Sequence, residues 1–416
     1  MSVSPQVRDA LKRKGVADVM AYVKIQPAGS RSHGRLAIEL SLDDVARCFV
    51  ADDRSVFRRI AESAKHGRRP NAGDTHIRYF PSLGVILGTV DEALLSTLLD
   101  RLPIKHVSAP LAASLIRPLD RRLIASPSRA VTWGISRLGI EAAWNRGFTG
   151  AGVKIAHLDT GVDPDHATLK NAVVDFAFFD DGGEIDTLHP NAFDTDDHGT
   201  HTAATMIGRA VGGKHVGMAP AAQLASAAVI EGGWTQARIL GGMQWAIDKR
   251  ARIINISLGV RGFSNDFLLL TQRLRGAGLL PVFAVGNEGV NTSRTPGNYD
   301  EALSVGASGD PDDIPTFSSS EEIDSVRSVP DLVAPGKNIE SALAGGGFLS
   351  MSGTSMSAPH ISGLAALLVE ARPDATVDQL EQAIFSSCTQ LGGVAPVREG
   401  RGVPSANRAL DALLAM

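Results

Sequence analysis

The chain has 416 residues, 44% of them hydrophobic and 21% charged, enough for two globular domains with ample cores. Its formal net charge of -4 argues against a nucleic-acid binder, and no apolar run reaches bilayer-spanning length. The first twenty residues carry Arg8, Asp9, Lys12, Arg13, Lys14 and Asp18 without the apolar stretch of a secretory signal. Cys48 and Cys388 are the only cysteines, too few for a disulfide framework. Both features lead to the expectation of a cytoplasmic protein.

In chain order, residues 1–107 predict a small α+β domain. Val19 to Ile25 reads as a strand, and Leu42 to Val50 and Val56 to Lys65 read as helix with a break at Ala51-Asp52-Asp53. Thr75 to Phe80 and Leu83 to Val90 form a hairpin about Pro81-Ser82. Asp91 to Leu102 has an acidic start and helical apolar spacing, and Ile104 to Val107 supplies a last strand. The order β-α-β-β-α-β is the ferredoxin-like arrangement. Residues 108–131 are rich in Ser, Pro, Ala and Arg with little periodicity, and read as a linker.

From 132 to 416, strand and helix patterns alternate, which predicts a parallel sheet with helices on both faces. Val153 to Leu158 is a branched strand ending at Asp159-Thr160-Gly161, where α/β folds place their sites. Asp197-His198-Gly199-Thr200-His201 opens a helix. Ile253 to Ile256 leads into Ser257-Leu258-Gly259, and Leu280 to Val285 into Gly286-Asn287-Glu288-Gly289. Helices are expected over Trp234 to Asp248 and Asn265 to Ala277. Gly353-Thr354-Ser355 precedes the apolar run Ile361 to Leu368, so Ser355 falls in a helix's first turn, at the positive end of its dipole.

These residue types suit nucleophilic catalysis. A serine hydroxyl needs a base, which His198 can be near neutral pH. A buried carboxylate such as Asp159 fixes the imidazole tautomer and stabilises the imidazolium. The Asn287 amide, with the Ser355 backbone N–H, can hold an oxyanion. The bland alternative for Ser355 is a helix cap. His201, His360 and His157 read as packing residues. A His198–His201 metal pair lacks the i, i+4 spacing and the glutamate of zinc helices.

The order Asp, His, Ser, with the motifs DTG, HGTH, GNEG and GTSMSAPH, resembles the subtilisin-like serine proteases. Gly217-Met218-Ala219-Pro220, Asn255-Ile256-Ser257-Leu258-Gly259 and Val333-Ala334-Pro335-Gly336 resemble them as well, from about Trp133 onward. The resemblance implies an endopeptidase acting on proteins or peptides through an acyl-enzyme. Asp159 would orient, His198 act as base and acid, Ser355 attack, and Asn287 donate to the oxyanion. Ser257, Leu258 and Gly259 would pair with substrate main chain. Ala284, Val285 and Gly286 would form the facing wall of the P1 pocket. Glu288 at its base would let a broadly apolar pocket tolerate Lys or Arg.

By the same resemblance, residues 1–107 match a propeptide that assists folding and inhibits. Residues 1–110 carry a net +5 and the remainder -9, which favours docking. Processing is expected near Val107-Ser108-Ala109-Pro110, and a dedicated regulatory protein is a further expected partner. No cofactor is implied for the chemistry. A common calcium site of the family is in doubt, because Thr168 stands where an acid would be; no metal residue is assigned. Two rival functions fit less well. A scaffold that keeps the fold without activity should have lost a site residue, and an α/β-hydrolase esterase needs Gly-x-Ser-x-Gly and another residue order.

Overall fold

The computed structural model describes residues 2–24, 40–63, 76–230 and 234–416. The expected ends of elements at Ile25, Lys65 and Thr75 lie outside the described residues. The chain divides into two compact units. One comprises Met1–Ala112, Phe179–Ile185 and Gly232–Gln244; the other comprises Ala113–Phe178, Asp186–Glu231 and Trp245–Met416.

The first unit contains β1 (Ser2–Val3), α1 (Pro5–Lys14), β2 (Ala17–Val23), α2 (Leu42–Ala46), α3 (Val56–Ser63), β3 (Arg78–Phe80), β4 (Val85–Val90), α4 (Glu92–Arg101) and β5 (Ile104–Ser108). The sheet order is β1-β5-β2-β4-β3. Leaving aside β1, every neighbouring pair is antiparallel, as the ferredoxin-like pattern requires. β1 adds a parallel edge to β5. Helix α1 was not anticipated. Pro5 starts it, Gly15 at φ 71° stops it, and it buries Val7 and Leu11. Within this unit Arg78 Nη1 lies 2.5 Å from Glu184, and the Ser82 N–H donates to Gln244 Oε1 at 2.7 Å.

The second unit starts with β6 (Ser114–Leu115) and β7 (Asp120–Ile124), where the sequence led us to expect an irregular linker. It continues through α5 (Trp133–Leu138), α6 (Ile140–Asn145), β8 (Lys154–Asp159), β9 (Val173–Phe178), α7 (Asp197–Ile207) and β10 (Gln223–Ala228). Helix α8 (Thr235–Asp248) is divided between the units. Next come β11 (Ile253–Ile256), β12 (Leu258–Arg261), α9 (Leu268–Gly276), β13 (Leu280–Ala284), β14 (Arg294–Thr295) and β15 (Leu303–Ser308). A small hairpin of β16 (Glu321–Glu322) and β17 (Ser328–Val329) precedes β18 (Leu332–Pro335), β19 (Ile339–Ala342) and β20 (Phe348–Ser352). Helices α10 (Thr354–Ala371), α11 (Val377–Ser386), α12 (Pro396–Glu399) and α13 (Ala406–Leu414) finish the unit.

Its seven-stranded sheet has the order β18-β15-β13-β11-β8-β10-β9, and all its pairs are parallel. Strands β11, β13, β15 and β18 are buried at every residue, as expected of a parallel sheet flanked by helices. Because β8, β11 and β13 are neighbours, the segments after Asp159, Ile256 and Ala284 leave the sheet side by side. Helix α10 packs on β11, β13, β15 and β18 and against α7, so the first turns of both helices meet this edge.

Leu364 of α10 is fully buried in the main core. Truncation to Ala removes its contacts and leaves a cavity. We expect Leu364→Ala to lower stability by about 2–5 kcal/mol in urea unfolding. Val326→Ala, at a side chain 93% exposed, should cost under about 0.5 kcal/mol.

Candidate active site

Asp159 ends β8 with no solvent exposure. A buried carboxylate is costly unless it is paired and hydrogen-bonded. Its Oδ1 accepts from the Thr160 backbone N–H at 2.8 Å and from His198 Nδ1 at 2.7 Å. Its Oδ2 accepts from the Thr202 hydroxyl at 3.4 Å and lies 3.5 Å from His157 Nε2. Burial alone would raise the Asp159 pKa, but the His198 charge and the bonds from His157 and His198 outweigh it and hold the carboxyl well below its usual range. On His198 burial opposes protonation, yet the Asp159 carboxylate prevails and raises the imidazole above its ordinary 6.5.

The fold places His198 in the first turn of α7. Asp196 caps that helix, accepting from the His198 N–H at 3.2 Å. Behind it, Asp194 accepts from the Thr160 hydroxyl at 2.7 Å and from both the N–H and the hydroxyl of Thr200 at 2.6 Å. A side chain at Gly199 would strike the Gly161 carbonyl, and one at Gly161 would strike the Phe193 carbonyl, so glycine is required at both positions.

Ser355 occupies the second position of α10, after Gly353. The Asn287 Oδ1 accepts from the Thr354 N–H at 2.8 Å and from its hydroxyl at 2.9 Å, which fixes the amide orientation. The Asn287 NH2 is thereby left to face the cleft. Thr354, Thr202 and Asp194 are site residues that sequence reasoning missed. The first stood inside the quoted GTSMSAPH motif, and only its contacts give it a part.

The cleft holds the chain's own residues. β6 pairs antiparallel with β12, Leu115 opposite Leu258 and Ser114 opposite Gly259. The Ile116 N–H donates to the Ser257 carbonyl at 3.0 Å. The Ser355 hydroxyl donates to the Ile116 carbonyl at 2.7 Å, while Asn287 Nδ2 donates to the next carbonyl, Arg117, at 2.9 Å. Beyond Pro118, β7 pairs with β20 over five residues. Arg117 reaches Asp196 at 3.2 Å, and Arg121 pairs with Asp197. His198 Nε2 is buried and has no partner among the described residues.

Ser257, Leu258 and Gly259 thus pair with the main chain of residues 114–116. The segment near Val107-Ser108-Ala109-Pro110, where processing is expected, does not lie in the cleft: Val107 and Ser108 belong to β5, and Ser114 to Arg117 occupy it. Glu288 is not open to a basic side chain either. Its Oε1 accepts from Arg294 Nε at 3.0 Å and from Arg294 Nη2, and Arg261 Nε lies 3.4 Å away. Burial favours the neutral acid there, but Arg294 overrides it and lowers the Glu288 pKa.

His201, His360 and His157 have structural parts. Burial pushes His201 down to about 3 and His360 to about 4, so both are neutral; they bond the carbonyls of Ile339 and Met356. His157 sits between Ser226 and Thr202, at 3.0 and 2.9 Å, and so supports Asp159 from within the strand. Thr168 bonds His166 at 2.9 Å and does not fit a calcium ligand set. Among the described residues, no three His, Cys, Asp or Glu side chains are gathered to hold a metal.

The family model described as "Subtilase family" matches residues 150–402. The thermostable alkaline protease of Halalkalibacterium halodurans is 33% identical over 299 residues, covering 71% of this chain and 77% of its own length. Subtilisin Savinase of Lederbergia lenta is 34% identical over 269 residues, 64% of this chain and 94% of its own. Alkaline elastase YaB of a Bacillus strain is 33% identical over 276 residues, 65% of this chain and 68% of its own. With this match laid over the Asp159–His198–Ser355 geometry, the chain belongs to the subtilase family.

Proposed function

We propose that the chain is a serine endopeptidase made as a self-restrained precursor. The observation that carries this reading is the buried 2.7 Å bond between Asp159 and His198, with Ser355 and Asn287 both reaching carbonyls of one peptide segment. In turnover, Asp159 holds the His198 ring so that Nε2 is the free nitrogen. Nε2 takes the Ser355 proton as Oγ attacks the scissile carbonyl carbon, and Asn287 Nδ2 donates to the oxyanion. The imidazolium then protonates the leaving amine, and a water, activated by the same base, releases the acyl group.

Restraint comes in cis. Residues 114–124 form a strap that adds a strand to β12 on one side of Ser355 and to β20 on the other. The strap uses the main-chain donors and acceptors a substrate would use. The ferredoxin-like unit precedes it and serves as the propeptide that delivers it. A built-in strap can supply the restraint otherwise expected of a dedicated regulatory protein. Intact Asp159, His198, Ser355 and Asn287 speak against a scaffold role.

Intact mass is the direct test of processing. The wild type should lose its N-terminal part at a site within residues 108–131, and Ser355→Ala should stay whole. If the active wild type also stays whole, the precursor reading fails. Fluorophosphonate labelling of Ser355 should lag in the full chain and become rapid once the N-terminal part is lost.

The raised His198 pKa fixes a pH dependence. The base works only when neutral, so activity is present above that pKa and is lost as pH falls through it. The acid limb of kcat/KM should therefore lie above 6.5. Asp159→Asn should move the limb down and reduce kcat by roughly four orders of magnitude. Asn287→Ala should lower kcat about 100- to 1000-fold with little change in KM, a range established in subtilisin itself.

A further inference from the structure

The cleft wall Ser257–Gly259 faces the wall Ala284–Gly286, and one side chain bridges them. Arg294 opens β14, which pairs with β12, Arg294 opposite Arg261. Its N–H donates to the Val285 carbonyl at 2.9 Å, so its backbone is tied to both walls. A methyl group built on Gly259 would stand 3.3 Å from Arg294 Cβ, and one on Gly286 would stand 3.3 Å from Arg294 Cγ. The arginine stem therefore runs between the walls and closes the space that small wall residues leave. Only 6% of the residue is exposed.

Its guanidinium has three directed uses. Nε and Nη2 meet Glu288 Oε1, and Nη1 donates to the Gly259 carbonyl at 3.3 Å. Nη1 also donates to the Ser114 hydroxyl at 3.0 Å. That last acceptor belongs to the strap. Ser114 lies two residues before Ile116, whose carbonyl meets Ser355, so when the strap leaves this N–H is opened to another acceptor while Nη1 keeps the Gly259 carbonyl. Local charge points the same way: the Glu288 carboxylate is answered by two guanidinium groups, Arg294 and Arg261, which leaves an excess positive charge.

We infer that Arg294 is the specificity-determining residue of the P1 pocket and selects peptides with an acidic P1 side chain. This rests on the endopeptidase reading above. A substrate Glu or Asp answers that excess charge with a charge-assisted bond. A Lys or Arg meets like charge, and a large aromatic ring meets a filled floor. The strap fits this logic as a ligand that is not a good substrate: residues 113–119 contain no acid, and the residue whose carbonyl meets Ser355 is the apolar Ile116.

The test is a P1–P4 peptide library cut by the full chain after its own processing, with cleavage sites read by mass spectrometry. Glu or Asp at P1 should exceed Leu, Phe and Lys in kcat/KM by at least about tenfold. Arg294→Lys should retain part of that preference. Arg294→Gly should admit large apolar P1 residues and, with Glu288 uncovered, Lys. A wild-type profile led by Phe, Leu or Lys at P1 overturns the proposal, as does acid preference confined to another position, and neither result depends on any variant folding. Failure to cut any peptide or to label with fluorophosphonate would instead overturn the endopeptidase reading.

Discussion

A carboxylate without water organises this catalytic unit. Asp159 cannot stay charged in the interior unless donors are brought to it. Two places in the chain answer that need: the Thr160 N–H comes from the turn leaving β8, and His198 and Thr202 come from successive turns of α7. Helix α7 must therefore begin at one height above the sheet. Asp194 secures that height by binding Thr160 on one side and Thr200 on the other. The tight Gly161–Gly199 approach follows from the same demand. Much of what the DTG and HGT motifs encode is the solvation of one buried charge.

The opposite side of the cleft obeys a second constraint, the orientation of an amide. Asn287 can serve an oxyanion only if its NH2 faces outward. Thr354 ensures this by giving both its donors to Oδ1. Thr354 precedes Ser355 in the first turn of α10, so one short segment sets the donor and carries the nucleophile. Because α10 packs on the sheet and on α7, the two sides of the site share one rigid foundation.

The sequence shows the parts of this arrangement that are local. Strand β8, the starts of α7 and α10, and the loop at Asn287 each carry their signature within a few residues, and the ferredoxin-like order follows from periodicity and turn chemistry. What it conceals is contact between distant segments. Asp120–Ile124 is an exposed edge strand, DRRLI, whose pairing is imposed by β20 rather than by any alternation of its own. Glu288 looks like an open acid until Arg294, six residues on, folds back onto it. His157 reads as core, and it is, but its bonds to Ser226 and Thr202 also serve Asp159. Helix α1 is hidden in the sequence by its charges, for only Val7 and Leu11 are buried between the bounds set by Pro5 and Gly15.

A peptide that lies in an intact cleft should be cut, and the strap's geometry gives the reason it is held. Attack needs the Ser355 proton to go to His198 and the reacting carbonyl oxygen to sit at Asn287. In the strap these needs are split between adjacent peptides. Ile116 meets Ser355, but its oxygen takes the hydroxyl proton, leaving His198 Nε2 without it. Arg117 meets Asn287, but the bond that follows leads to Pro118, a tertiary amide with no N–H. Neither carbonyl has both nucleophile and oxyanion donor. The five-residue ladder between β7 and β20 then acts on the leaving side. Any segment released there stays anchored beside the acyl group, so the forward step is opposed by a nucleophile held at high effective concentration. In the precursor reading proposed above, restraint arises from a one-residue offset between two hydrogen bonds and ends when a strand ladder is broken.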